Sequence, residues 1–187
     1  MKDNLDEDKN NTTMKNILFT GPPGCGKSTI IEKIVQKIDA TATGFFTKEI
    51  QEKGRRVGFS INTLEQKKGV LAHQRIKSRC RVGKYAVNLT DIDRIAVPSM
   101  IPKSHGQLVV IDEIGKMECF SNLFKKTLET VLDSDHPVIG SISIKGDRFI
   151  QKIKKRPDVL LISVTVQNRD KLPSLYLTKY DLNRIIK

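Results

Sequence analysis

Apolar positions fall into short blocks whose period changes along the chain. Ile17, Leu18 and Phe19 with Thr20 form a compact run suited to a central strand, and Ile30, Ile31, Ile34, Val35 and Ile38 then recur at helical spacing. Next, GFFTKEI (44–50) and RRVGFSINTL (55–64) read as two strands, with QEKG between them as the turn of a β-hairpin. Residues 66–81 are rich in Lys, Arg and His without periodicity, which predicts an exposed loop and the most mobile internal segment. A strand is expected near Lys84 to Val87. A helix follows it, capped by Thr90 with Asp93 as acidic N3 partner, and ended or kinked by Pro98.

The second half repeats the alternation. Leu108 to Ile111 form an apolar run that ends in Asp112 and Glu113, as when a buried parallel strand delivers acids at its carboxyl end. Phe120, Leu123, Phe124, Leu128, Val131 and Leu132 define a helical apolar face. Pro137 to Ile142 reads as a strand, Phe149 to Lys155 as a helix and Val159 to Val166 as a last strand. Tyr180, Leu182, Ile185 and Ile186 outline a terminal amphipathic helix. Strand and helix signals in this order predict a three-layer α/β domain: a mainly parallel sheet with helices on both faces and an antiparallel hairpin. No internal repeat is present.

The junction between the first strand and helix carries the clearest chemistry. GPPGCGKS (21–28) fits the phosphate-loop pattern G-x-x-x-x-G-K-[ST], the Walker A motif. Gly21, Gly24 and Gly26 let the backbone aim N–H groups inward, Lys27 places a cation on the β- and γ-phosphates, and Ser28 holds Mg²⁺. Together with Pro22, Pro23, Cys25 and Thr29 these are the expected nucleotide-binding residues. The Asp112-Glu113 step, about 85 residues further on, completes a Walker B pattern. Asp112 is expected to hold Mg²⁺ opposite Ser28, and Glu113 to face the γ-phosphate and polarise a water as general base. An acid in that place makes hydrolysis the leading reaction. A further cation is needed there, and Lys116, Arg55 and Arg56 are the candidates, Lys116 first by its proximity to Glu113. Ser141 and Ser143, near a strand end, are either γ-phosphate sensors or ordinary polar residues.

Composition bounds the rest. The 187 residues suffice for one domain with its own core. Residues 1–13 are polar and charged and read as a disordered leader, leaving a single domain over residues 14–187. Without the leader's two basic and four acidic residues the net charge rises from +12 to +14. No apolar stretch is long enough for a membrane span or a signal peptide, so a cytoplasmic protein without membrane partners is expected. Cys25, Cys80 and Cys119 are odd in number and widely spaced, which fits a reducing compartment; Cys25 is read as space-filling.

Two other activities share these features. A nucleotide or small-molecule kinase can use the same loop, with Arg75, Arg79 and Arg81 as an arginine lid. A nucleic-acid-associated ATPase would use the basic balance and the run Lys152, Lys154, Lys155 and Arg156, but no stacking aromatics interleave it and nucleic acid is not favoured. The oligomeric state stays open, with a monomer slightly favoured.

GPPGCGKST, GFFTKEI, GRRVGFSINTL, VGKYAVNLT, VVIDEIGKMECFS and VTVQNRDKLP together closely resemble the nucleoside-triphosphatase family first described from thermophiles, whose members include the vertebrate cancer-related nucleoside-triphosphatase. The resemblance spans roughly residues 15–173. It implies slow, Mg²⁺-dependent hydrolysis of ATP, GTP and other nucleoside triphosphates to diphosphate and phosphate on a RecA-like sheet. It also implies that Asn168 and Arg169 lie near the nucleotide base. The leader and the segment after Pro173 are not carried by it.

Overall fold

The computed structural model of the chain describes residues 15–38 and 40–178. The expected leader and the amphipathic helix with Tyr180, Leu182, Ile185 and Ile186 lie outside the described residues. Nine strands are described: β1 (Asn16–Thr20), β2 (Ala42–Glu52), β3 (Arg55–Thr63), β4 (Lys68–His73), β5 (Arg81–Val82), β6 (Tyr85–Val87), β7 (Leu108–Ile114), β8 (Val138–Ile142) and β9 (Val159–Ser163). They form one sheet in the order β5-β6-β4-β3-β2-β7-β8-β1-β9. From β2 to β9 every neighbouring pair is parallel, and from β2 to β5 every pair is antiparallel. The helices are α1 (Lys27–Lys37), α2 (Leu89–Asp91), α3 (Val97–Ser99), α4 (Asn122–Asp133), α5 (Arg148–Lys154) and α6 (Leu172–Thr178).

Alternation along the central strands builds two cores, one on each face of the sheet. Ile17, Phe19, Leu108 and Val110 join Ile30, Ile31 and Ile34 of α1 and Tyr176 of α6. Leu18, Val109 and Ile111 face the other way, onto Phe124, Leu128, Val131 and Leu132 of α4 and Ile150 and Ile153 of α5. Each core holds an edge-on aromatic pair, Phe19–Tyr176 at 5.7 Å and Phe45–Phe124 at 6.3 Å between ring centroids. Because both faces are covered, β1 is buried at all five positions, which is why Ile17, Leu18 and Phe19 follow one another without alternation. Gly44 marks where the two halves of the sheet meet: its φ is 117°, and a Cβ there would lie 1.9 Å from the Val110 carbonyl oxygen. Only glycine lets β2 approach β7 so closely.

The β2–β3 hairpin forms as expected, turning through Lys53 and Gly54, both at positive φ. Four expectations are corrected. Residues 66–81 are not one loop: only 66–67 and 74–80 stay outside the strands, while Lys68–His73 form β4, whose Leu71 and Ala72 are buried and which pairs with β3. The ladder slips there, between Phe59 and Ser60, and the Val70 N–H donates instead to Asp91 Oδ2 at 2.7 Å. The helical segment after β6 is capped by Asn88, not Thr90; the Asn88 side chain accepts from the Asp91 N–H at 3.3 Å. This segment widens into a π turn over Ile92–Ala96 and continues without a break into α3, ending at Ser99, one residue past Pro98, as expected for a helix that Pro98 ends. Finally, α4 starts at Asn122 under a Ser121 cap, with Phe120 in the preceding 3₁₀ turn and Leu123 exposed, and β9 stops at Ser163, short of Val166.

Candidate active site

The carboxyl ends of β1, β7 and β8 converge, as ligand sites do in open α/β sheets. The loop 21–26 leaves β1 and opens α1 through Gly26, whose φ of 105° turns the chain into the helix. α1 has no side-chain cap and no acid in its first turn. Its leading N–H groups and positive dipole end are therefore available to an anion. Lys27 folds over the loop, its Nζ donating to the carbonyls of Gly21 at 2.9 Å and Pro22 at 3.1 Å. Cys25 is buried beneath the loop against Gly21, in the space-filling role expected of it.

β8 lies between β1 and β7 in the sheet, and Ser141 within it and Ser143 just past its end hold the two acids. Asp112 is 1% exposed and accepts from the Ser141 hydroxyl through Oδ1, while its Oδ2 is buried without a hydrogen-bond partner. Burial pushes its carboxyl above the usual carboxylate range, against the pull of the Ser141 and Ser28 hydroxyls beside it and of Lys27. An orphaned, buried carboxylate oxygen next to a phosphate-loop serine costs stability unless something binds it, and a hard divalent cation is what such a donor pair fits. Glu113 is half-buried, and its Oε1 accepts from Ser143 Oγ at 2.8 Å. The peptide joining the two acids is cis, and the β7–β8 ladder breaks between Ile111 and Ile114. Ser141 and Ser143 thus each engage one acid.

Sequence reasoning passed over Glu118. The 3₁₀ turn at Glu118–Phe120 folds it back until it is 4% exposed, with Oε2 accepting from the Gly115 N–H at 3.1 Å. Burial, then the nearby charges of Glu113 and Asp112, push its carboxyl up to about 8 despite the backbone N–H groups that favour the ionised form. The only sequence signal was the spacing of Gly115 and Glu118, which a turn can close.

A cavity of about 600 Å³ unites Lys27, Ser28 and Glu113 with Lys116 and Arg56. Arg55 is absent from its lining, as are Arg75, Arg79 and Arg81, so the arginine lid does not form over it. Arg75 pairs with Glu52, and Arg81 donates to the Lys84 carbonyl at 2.9 Å. Thr29 and Gly26 line the large cavity and also an adjoining one of about 150 Å³, completed by Ile30, Lys33, Arg169 and Asp170. Arg169 therefore lies beside the loop, where the Gly26 backbone faces its side chain. Asn168 does not line this cavity: its Oδ1 accepts from the Thr165 N–H at 2.8 Å and its Nδ2 donates to the Ser163 carbonyl at 2.9 Å, closing the turn after β9. Much of the basic run at 152–156 is engaged structurally, Lys152 with Glu129 at 2.7 Å and Arg156 with Asp133 and Asp158. Among the described residues no helix is long and apolar enough to cross a membrane.

The mixed sheet, with a phosphate loop between β1 and α1 and acids at the end of β7, is a P-loop nucleoside-triphosphatase fold. A family model described as NTPase matches residues 16–176, and the chain belongs to that family. It is 41% identical over 169 residues to the nucleoside-triphosphatase THEP1 of Thermotoga sp. (strain RQ2), covering 90% of this chain and 97% of that one. It is 36% identical over 175 residues to the human cancer-related nucleoside-triphosphatase, covering 84% and 92%. The crystal structure of THEP1 from the hyperthermophile Aquifex aeolicus superposes with a TM-score of 0.80 at 33% identity, over 89% of this chain and 99% of that one. The chain is an enzyme, a nucleoside-triphosphatase.

Proposed function

We propose that the protein hydrolyses ATP, GTP and other nucleoside triphosphates to diphosphate and phosphate, with Mg²⁺ as cofactor. The observation that carries this reading is the pair of acids at the end of β7: one buried with an oxygen left over, the other held at the cavity wall beside Lys27. Ser28 and Asp112 would hold Mg²⁺, which when bound offsets phosphate charge. Residues 21–29 receive the phosphates, and Lys27 exchanges its two carbonyl partners for phosphate oxygens. Glu113, fixed by Ser143, takes the proton of a water attacking in line. Lys116, on the same cavity wall, supplies the further cation, with Arg56 as the other candidate in reach. Arg169, beside the small cavity at the helix start, contacts the base side of the nucleotide, and Asn168 holds the turn that presents it. The catalytic groups are thus Glu113, Lys27 and Lys116. The three unpaired cysteines support a cytoplasmic location.

The test is phosphate release from ATP, GTP, CTP and UTP with and without Mg²⁺, with Lys27→Ala as the blank. Release is expected from all of them only with the metal, and Glu113→Gln is expected to keep nucleotide affinity while turnover falls by roughly tenfold or more. Unchanged turnover in that variant removes Glu113 as general base, and metal-independent release removes Mg²⁺.

A further inference from the structure

The 600 Å³ cavity is larger than a triphosphate tail requires, and its far end has the wrong chemistry for one. Past Glu113 and Lys116 it runs under the antiparallel half of the sheet to Phe59 of β3, Leu71 of β4, Val82 of β5 and Met117. This wall is apolar and includes an aromatic ring. Its polar fringe is Thr47, Lys48 and Glu49 of β2 and Arg56 of β3. Arg56 is itself locked: its Nη1 donates to Glu49 at 2.6 Å, its Nε to the Tyr85 hydroxyl at 3.1 Å, and its guanidinium stacks 5.2 Å from the Phe59 centroid. The reading above places the base of the bound triphosphate at the helix-start side of the phosphate loop, in the adjoining cavity with Arg169, which shares Gly26 and Thr29 with the large one but none of this apolar wall.

We propose that this end of the cavity binds a second ligand, a nucleoside, and that the enzyme transfers the γ-phosphoryl group to its hydroxyl. A nucleoside has what the lining asks for: a flat heteroaromatic body for Phe59, Val82 and Met117, polar edges for Thr47 and Arg56, and a hydroxyl that can reach Glu113. The proposal rests on the reading of Glu113 and the phosphate loop given above. In the step, the acceptor oxygen bonds to the γ-phosphorus and the bond from that phosphorus to the bridging oxygen breaks. The electron pair leaves with the nucleoside diphosphate, and the hydroxyl proton passes to Glu113. The products are a nucleoside diphosphate and a nucleoside monophosphate. Water competes for the same phosphorus, so hydrolysis is the reaction seen when no acceptor is present.

The full chain is incubated with Mg²⁺ and γ-labelled ATP, alone and with adenosine, guanosine, cytidine, uridine or thymidine, and labelled phosphate is separated from labelled monophosphate by chromatography. Labelled monophosphate is expected with at least one nucleoside. Val82→Trp, which fills the far end, and Phe59→Leu, which removes the ring and keeps most of the bulk, are each expected to lower the ratio of transfer to hydrolysis by about tenfold. Lys27-dependent release of free phosphate with every nucleoside, and no monophosphate, overturns the acceptor site and leaves the hydrolase reading standing. An unchanged ratio in both variants overturns the placement of the acceptor. Absence of any Lys27-dependent product removes both readings together.

Discussion

The parallel and antiparallel halves of the sheet solve different problems with the same backbone. In the parallel half, β1, β7 and β8 are covered on both faces; Asp112 near the end of β7 inherits that burial, and Glu118, folded back by the turn after β7, joins it where charge is expensive. In the antiparallel half the strands are shorter or bulged. They are joined by tight turns and tied at their edges by exposed ion pairs such as Arg56–Glu49 and Arg75–Glu52, which add little stability each. The first half fixes reactive groups by packing. The second encloses space beside them.

If the halves are coupled mainly through the β2–β7 approach, Gly44→Ala should show the largest effect. The added Cβ meets the Val110 carbonyl and sits in a left-handed backbone, a combination worth roughly 4 kcal/mol. Urea denaturation is expected to give a much lower midpoint, and an unchanged midpoint would show that the halves adjust independently.

The next test concerns the buried acids. Glu118 stays protonated in the folded protein up to about 8, whereas an exposed glutamate ionises near 4.5. Between those values the folded state binds more protons than the unfolded state. Stability should therefore fall as pH rises through this window and level off above it. Glu118→Gln removes that slope. Relative to the parent it should gain about 2 kcal/mol between about pH 6 and pH 8, read from denaturation curves without nucleotide or metal. Parallel pH profiles for the two proteins would show that the burial of Glu118 carries no protonation cost.

The smallest effect belongs to the antiparallel half. Asp91→Ala leaves the Val70 N–H without its acceptor at the bulge and should cost about 1 kcal/mol, with faster exchange of that amide. Unaltered exchange would mean that water replaces Asp91 there.

The same contrast decided what could be read from the sequence. β1, α1 and β7 were legible because full burial forces continuous or helically spaced apolar residues, and the phosphate loop because its spacing is rigid. β4 was not: KGVLAH has only three apolar residues among Lys and His, and its pairing depends on a bulge and on Asp91, 21 residues from Val70. Glu118 was hidden because its burial comes from a turn folding back on Gly115, which no period records. The serines were visible as residues near a strand end, but their division between the two acids depends on sheet order. Arg55 and Arg56 were equivalent in sequence, and it is the bulge at Val57, where the β2–β3 register shifts, that puts Arg56 on the cavity side with Phe59.

That division has a consequence for how the enzyme is assembled. Ser141 and Ser143 are two residues apart at and just past the end of β8, so a one-residue error in docking this strand would present Gly140 and Ile142 to the acids instead. Neither can donate a side-chain hydrogen bond. A molecule docked in that register would leave Asp112 and Glu113 without their serine donors, so the register of one five-residue strand decides whether both acids are held in place.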